Sequence, residues 1–400
     1  MKKVNTNFLN GTRFLLALWV AIGHFYKYIG GTEFIKIPVF SRILLNNGPA
    51  VDGFMVITGF LMMYHYLLRL EKEPSNQIST FVKFWYRRIF RLYPLYLVTV
   101  IVAFCLYKFN FALIYENYHY FTNKDGVFKT TYSPTEVPSL FDLLAHLTFI
   151  HGFIPDVNTS ILGPAWSLSL EMQFYFLFPF IFLLLFRKNK LSNIMFILLT
   201  IGSLAASIVI PKLLGTWDVP GSLANLEAPA ILPYKLHFFV LGMIMASVVL
   251  KKLDWKHLIF WLIITIPFQG LFTKATVVFI VFFMFSPTYE KFLPKIVMNI
   301  INFFKSLLSN KLSQFGADVS YSLYLIHMII LPYAVKLAIS IVSGNKLIAA
   351  VVSLTIFITL NLLISYLLFK VLELPANAWG KRLISKKFLY KNNSIVKKGA

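Results

Sequence analysis

The stretch "RFLLALWVAIGH", from Arg13 to His24, is apolar enough to lie in a bilayer, although it begins with a guanidinium and ends with an imidazole. A helix rises 1.5 Å per residue, so the two side chains lie about 16 Å apart along its axis. Eleven residues make almost three whole turns, which places both on one face. Ionisable side chains inside a membrane span are costly and are candidates for function. The stretch therefore predicts a membrane helix with one functional face.

The composition of the whole chain agrees with a membrane protein. Of 400 residues, 58% are hydrophobic and 14% are charged, and the mean hydropathy is +0.71. Long uncharged runs of bilayer-spanning length recur along the chain. They predict an all-α, polytopic integral membrane protein with about ten transmembrane helices. We place these spans near residues 8–28, 50–70, 87–107, 164–186, 194–214, 230–250, 257–271, 275–287, 317–340 and 347–371.

The formal charge of +22 follows the predicted topology. With both termini in the cytoplasm, most of the 38 Lys and Arg residues fall in the inner segments, as the positive-inside rule requires. This distribution argues against a nucleic-acid partner. We predict a membrane domain over residues 1–372 and a basic cytoplasmic tail over residues 373–400. The single cysteine, Cys105, excludes a disulfide within the chain and argues against a Cys/His metal cluster, so no metal site is predicted.

Arginines form the second candidate group. Arg88 and Arg91 in "FWYRRIFRLYP" are three residues apart and project from one face at the predicted cytoplasmic end of the third span. Paired guanidiniums suit the capture of phosphates, and contact with anionic lipid head groups is the alternative. Arg13 has the alternative of an interfacial anchor, and His24 that of a buried, hydrogen-bonded histidine.

The fourth span carries a carboxylate. Glu171 lies about 10 Å down the helix from Pro164, and Ser167 lies one turn above Glu171 on the same face. A lone carboxylate at this depth needs a partner, for which we expect His24 or an arginine; a structural ion pair is the alternative reading.

Two further spans carry polar residues. The second span has Asp52 at its outer rim and Thr58 with Gly59 near its middle, where the glycine indicates close helix packing. The ninth span carries a polar stripe with helical spacing, for which hydrogen-bonded helix packing is the alternative. The stripe consists of Ser320, Tyr324 and His327.

Taken together, these pieces resemble the acyltransferase 3 family, the bacterial membrane acyltransferases that include O-antigen and nodulation-factor O-acetylases. The resemblance covers roughly residues 8–372 and does not include a fused esterase-like domain. Thr58 stands where the family usually has serine, so the hydroxyl is kept. The matching pieces are Arg13 with His24, "VDGFMVITGFL", "RRIFRLYPLY", "WSLSLEMQFYFLFP", "FFVLGMIMA" and "VSYSLYLIH", in the family's order.

The resemblance implies an acyl-CoA-dependent O-acyltransferase of the bacterial inner membrane. It would move an acyl group, usually acetyl, from cytoplasmic acyl-CoA to a hydroxyl of an envelope glycan or another lipid-linked or secreted acceptor. Acyl-CoA is then the donor substrate, and no bound cofactor is expected. His24 would be the base, with Glu171 orienting it or stabilising its imidazolium, and the arginines Arg13, Arg88 and Arg91 would hold the CoA phosphates. The predicted pore residues are Asp52, Thr58, Ser167, Ser320, Tyr324 and His327.

Two other classes of function compete with the enzyme. A transporter or flippase of an envelope precursor would also use about ten spans and buried charges. Against it stand the absence of internal sequence repeats and the arginines gathered at one mouth. A non-catalytic partner of an envelope synthesis complex would not need His24.

Overall fold

A computed structural model of the chain describes residues 6–124, 137–187, 190–213, 230–289, 292–342 and 344–396. The fold is all-α, and the strands described are two short antiparallel ones, β1 (Phe186–Arg187) and β2 (Lys190–Leu191). The α-helices are α1 (Phe8–Tyr28), α2 (Pro38–Leu45), α3 (Gly48–Arg69), α4 (Ile78–Cys105), α5 (Tyr107–Thr122), α6 (Leu140–Leu147), α7 (Ala165–Leu185), α8 (Asn193–Leu213), α9 (Leu236–Val249), α10 (Lys256–Thr265), α11 (Leu271–Tyr289), α12 (Lys295–Ser309), α13 (Lys311–Ile341), α14 (Lys346–Leu368) and α15 (Leu374–Val396).

Eight helices in the described residues are long and apolar enough to cross a membrane, and they confirm the predicted fold class. They are α1, α3, α4, α7, α8, α11, α13 and the continuous helix that α14 begins. The sixth and seventh predicted spans correspond to shorter apolar helices, Leu236–Val249 and Lys256–Phe268. A total of ten spans and the cytoplasmic position of both termini stay predictions.

The last helix differs from the predicted domain boundary. Instead of ending near residue 372, α14 passes through a π-helical turn, Phe369–Glu373, directly into α15. Glu373 is buried, with 6% of its surface exposed, so the first residue of the predicted tail belongs to the packed helices. The wider division into a domain of 1–372 and a tail of 373–400 stays a prediction.

Glycines allow two pairs of helices to pack backbone to backbone. A Cβ atom on Gly59 of α3 would overlap the backbone of Phe239 in α9, and one on Gly242 of α9 would overlap that of Val56 and Phe60. The indication of close packing from Gly59 is therefore correct. Likewise, a Cβ on Gly11 of α1 would overlap the backbone of Leu308, at the end of α12.

The functional face of α1 lies against α13. Phe14 packs on Gly316, where a Cβ would overlap its ring, and His24 and His327 stack further along the same pair of helices. Helix α4 packs on α15, where Phe90 meets Gly380 and the ring of Trp379. Side chains of α1, α3, α4, α7, α9 and α13 line one cavity.

Candidate active site

The cavity has a mixed wall of charged, hydroxyl and apolar side chains. It brings together eight of the side chains that the sequence singled out. They are Arg13, Thr58, Arg88, Arg91, Ser167, Glu171, Ser320 and Tyr324. Three guanidiniums and one carboxylate therefore share a single space, although they come from three different helices.

The arginines give this cavity a positive charge. Arg88 is buried, and its guanidinium carbon lies 5.6 Å from the ring centroids of both Phe84 and Tyr175. Aromatic faces attract a cation and hold it where water is scarce. The Nε atom of Arg88 has no hydrogen-bond partner among the described residues. A guanidinium held in this way is available to an anionic ligand.

Glu171 has hydroxyl partners. Its Oε1 atom accepts a hydrogen bond from Thr58 Oγ1 at 3.2 Å and another from the hydroxyl of Tyr175. The sequence predicted His24 or an arginine as its partner, and among the described contacts no hydrogen bond joins Glu171 to His24. The predicted role of Glu171 towards His24 therefore has no direct hydrogen bond behind it in the described contacts and stays a prediction. Its carboxylate lies instead within electrostatic range of Arg13.

His24 belongs to a chain of hydrogen bonds that crosses to α13. Its Nδ1 atom lies 2.8 Å from Nε2 of His327, and the two rings stack with centroids 5.0 Å apart. The Nδ1 atom of His327 lies 2.7 Å from the carbonyl oxygen of Tyr324. The hydroxyl of Tyr324 lies 2.7 Å from Ser167 Oγ. Ser167 and Tyr324 line the cavity, whereas His24 and His327 are not among its described lining residues, and the pore role of His327 stays a prediction.

The carbonyl at the end of the chain determines which nitrogen carries each proton. A carbonyl only accepts, so we assign the proton of His327 to Nδ1, which leaves Nε2 of the neutral ring as an acceptor. His24 must then donate from Nδ1, and its lone pair is on Nε2. His24 is half-buried. The network therefore presents one basic nitrogen, His24 Nε2.

Asp52 does not line the cavity, although its neighbours Val51 and Phe54 do. Its Oδ1 atom lies 2.5 Å from Lys235 Nζ, and its Oδ2 atom accepts a hydrogen bond from Thr273 Oγ1 at 3.0 Å. Asp52 is 4% exposed. Asp52 is therefore not a lining residue of this cavity, contrary to its predicted place in the pore, and its carboxylate joins α3 to the start of α9 and to α11.

Ser320 lines the cavity and donates from Oγ to the carbonyl of Ala317 at 2.8 Å. This bond satisfies its hydroxyl within α13. Its placement is as predicted, and its part in any reaction stays a prediction.

Two residues at the site were not singled out from the sequence. Tyr175 lies four residues after Glu171, the spacing of helical neighbours, and this spacing could have identified it. Glu373 accepts a hydrogen bond from Ser322 and lies within electrostatic range of Arg13 and Arg91. Its position directly after the apolar run of the last span could have identified Glu373. The predicted boundary at residue 372 instead assigned it to the tail. Among the described residues, no group of three or more His, Cys, Asp or Glu side chains could hold a metal ion.

Comparison with known proteins identifies the family of the chain. The model of the acyltransferase 3 family, described as an acyltransferase domain, matches residues 6–370. The chain belongs to the acyltransferase 3 family. Together with its apolar helices, this membership indicates a multi-pass membrane acyltransferase.

A curated relative of this acyltransferase 3 protein is nose resistant to fluoxetine protein 6 of Caenorhabditis elegans, 24% identical over 201 residues. The match covers 46% of the present chain and 22% of the relative, so the chain spans about a fifth of that protein's length. No solved structure gives a significant match to the chain.

Proposed function

We propose that this protein transfers an acyl group, acetyl in the first instance, from acyl-CoA to a hydroxyl group of an envelope glycan or another lipid-linked or secreted acceptor. The observation that carries the proposal is that His24, with its basic nitrogen Nε2, lies on the same helix as Arg13, whose side chain lines one cavity together with those of Arg88 and Arg91. The arginines suit the phosphates of the donor, and the imidazole suits the acceptor hydroxyl.

The donor enters at the arginine end of the cavity. Arg13, Arg88 and Arg91 line that end and supply the positive charge that the CoA phosphates require. The rise of about 16 Å from Arg13 to His24 is comparable to the reach of a pantetheine arm. The thioester then lies deep in the bilayer, where an acceptor from the opposite side meets it.

The chemical step needs a base because a hydroxyl is a weak nucleophile, while a thioester is already activated. His24 Nε2 takes the proton of the acceptor hydroxyl as its oxygen attacks the thioester carbonyl carbon. When the carbon–sulfur bond breaks, the thiolate of CoA takes the proton from His24 and leaves as the thiol. The hydrogen bond from His24 Nδ1 to His327 holds the ring throughout the reaction. It persists because Nδ1 keeps its proton whether Nε2 is protonated or not.

Glu171 supports the wall of the cavity. Its bonds to Thr58 and Tyr175 join α3 to α7, and its negative charge offsets part of the charge of Arg13. The bacterial inner membrane is the compartment in which acyl-CoA on one side and an envelope acceptor on the other meet such a protein. Transport of an envelope precursor is the competing function, and the family match favours acyl transfer.

The test is mass spectrometry of envelope glycans and lipids from cells with and without the protein. We expect one or more components to lose an acyl increment in the absence of the protein. Cells carrying His24→Ala should match cells that lack the protein, while cells carrying His119→Ala, a change at an exposed histidine of α5, should match the wild type. An acyl pattern that stays the same in all four strains would contradict acyl transfer to the envelope.

A further inference from the structure

Helix α12 has three distinct faces, each with the three- and four-residue spacing of a helix. One face is polar and mostly exposed, and consists of Lys295, Asn299, Asn302, Ser306 and Ser309. A second face is apolar and buried, and consists of Met298, Ile301 and Leu308. The third face is apolar and exposed, and consists of Ile296, Ile300, Phe303, Phe304 and Leu307.

The buried face of α12 is fixed to two membrane helices. The backbone at Leu308 lies against Gly11 of α1. Lys305 donates to Ser286 Oγ of α11 at 2.7 Å, and its Nζ atom lies 5.8 Å from the ring centroid of Phe8. The helix is thus held at the end of α1 at which Arg13 lies.

Helix α12 cannot cross the bilayer. Its fifteen residues rise about 22 Å, which is less than the roughly 30 Å of hydrocarbon in a typical membrane. Asn310 interrupts the helical path with an extended backbone, φ −72° and ψ 177°, and its side chain accepts from Ser313 N to start α13. The direction of the chain therefore changes between α12 and α13.

We infer that α12 lies in the plane of the membrane, with its exposed apolar face among the phospholipid acyl chains of the leaflet next to Arg13. A helix with an exposed apolar face and a separate polar face is typical of such interfacial segments. Phe303 is 60% exposed and Ile300 is 52% exposed, on a helix fixed to two membrane-spanning helices, and lipid is the medium that surrounds those helices. Lys295, the first residue of α12, and Lys311, the first residue of α13, lie on either side of this face and can contact the lipid phosphates.

This placement sets the depth of the arginine end of the cavity. Gly11 is two residues before Arg13, and its contact with Leu308 leaves no room for a side chain between α1 and α12. Because α12 is held by the leaflet and α1 is held by α12, the height of Arg13 relative to the lipid phosphates is fixed from outside the cavity.

Site-directed spin labelling tests the inference without any assay of activity, so it stands whether or not the protein is an acyltransferase. Cys105 is the chain's only cysteine, and Cys105→Ser provides the background. Single cysteines are placed on the apolar face, Ile300→Cys and Phe303→Cys, and on the polar face of the same helix, Asn302→Cys and Ser306→Cys. The full chain is reconstituted in vesicles of phosphatidylcholine and phosphatidylglycerol.

The measurement compares collisions of the label with oxygen, which enriches in lipid, and with a water-soluble nickel chelate. We expect the oxygen-to-nickel ratio to be several-fold higher at positions 300 and 303 than at 302 and 306. Equal ratios at all four positions would overturn the inference. Low collision with both reagents at 300 and 303 would also overturn it, because a protein surface such as a second copy of the chain would then cover this face.

Discussion

The Nδ1 atom of His24 lies 2.8 Å from the Nε2 atom of His327, although the two residues are 303 positions apart in the chain. A carbonyl behind His327 fixes its tautomer, and His327 in turn fixes that of His24. The two histidines are therefore expected to act as one unit. Removing His24 should lower acyl transfer by about 10²–10⁴-fold, the usual effect of losing a general base.

His327→Ala should lower the rate by less than His24→Ala and should change the pH profile of the rate, because the remaining imidazole can adopt either tautomer. His327→Gln should recover part of the loss, since its amide oxygen can accept from His24. The double variant His24→Ala/His327→Ala should be no slower than His24→Ala alone, because residues acting as a unit are not additive. A fully additive double variant would show that the two residues act separately.

Arg88 and Arg91 should determine the affinity for the donor. Each lost charge-assisted hydrogen bond costs about 1.5–3 kcal/mol, which corresponds to roughly ten- to a hundred-fold in Kd. Titration of purified protein with acyl-CoA should show this loss for Arg91→Ala, and Arg91→Lys should recover only part of it, because an ammonium lacks the planar fork of a guanidinium.

The matched control for the donor titration is Arg87→Ala in the same helix. Arg87 forms two hydrogen bonds to Glu73, at 2.9 Å and 2.6 Å, and does not line the cavity within the described residues. Its removal should leave acyl-CoA affinity unchanged. If Arg87→Ala weakens binding as much as Arg91→Ala, the phosphates are attracted by general surface charge.

The buried pair of Asp52 and Lys235 should stabilise the fold rather than take part in the reaction. Removing one partner of a buried ion pair costs about 3–5 kcal/mol, since the other charge stays buried alone. Asp52→Leu and Lys235→Met should each lower the melting temperature in detergent, and the double variant should recover much of the loss. Acyl transfer by the folded double variant near the wild-type level would support this role. A double variant that is stable but inactive would instead indicate that Asp52 takes part in the reaction.

Two histidines, His146 in the last turn of α6 and His151 in the segment that follows it, predict a pH dependence of stability. His146 and His151 stack in parallel with ring centroids 4.2 Å apart, and both are fully buried. Burial lowers the pKa of His146 to about 4 and that of His151 to about 3, and His151 is also repelled by His146. Both rings are neutral when folded, while the unfolded chain binds protons near pH 6.5.

The contribution of the two neutral, buried rings to the free energy of unfolding is therefore fully present above about pH 6.5 and is lost as the pH falls towards 4. Thermal melting across this range should show a shallower pH dependence for His146→Gln/His151→Gln than for the wild type. His119→Ala, at an exposed site, should keep the wild-type dependence. If the melting temperature changes equally with pH in all three proteins, His146 and His151 are not the cause of the pH dependence.

The sequence was a good guide to which residues share the cavity and a poor guide to which of them touch. Hydrophobic runs and helical spacing placed Arg88 with Arg91 and Ser167 with Glu171, because these relations are local. The His24–His327 contact joins the first helix to a late one, and no periodicity reports such a pairing. The family resemblance implied a pore role for Asp52, but its carboxylate pairs with Lys235, which lies 183 residues later in the chain.

The separation of Asp52 from Lys235 also has a consequence for biogenesis. At roughly 5–20 residues per second, a ribosome takes about 10 to 40 s to proceed from one to the other. During that interval α3 is made and its carboxylate has no ammonium to meet, at an insertion cost of about 2.5–3.5 kcal/mol at a bilayer centre. Asp52 lies in the second turn of α3, close to the interface, where this cost is smaller. Nascent α3 is therefore expected to rest at the edge of the bilayer and reach its final depth only when α9 emerges.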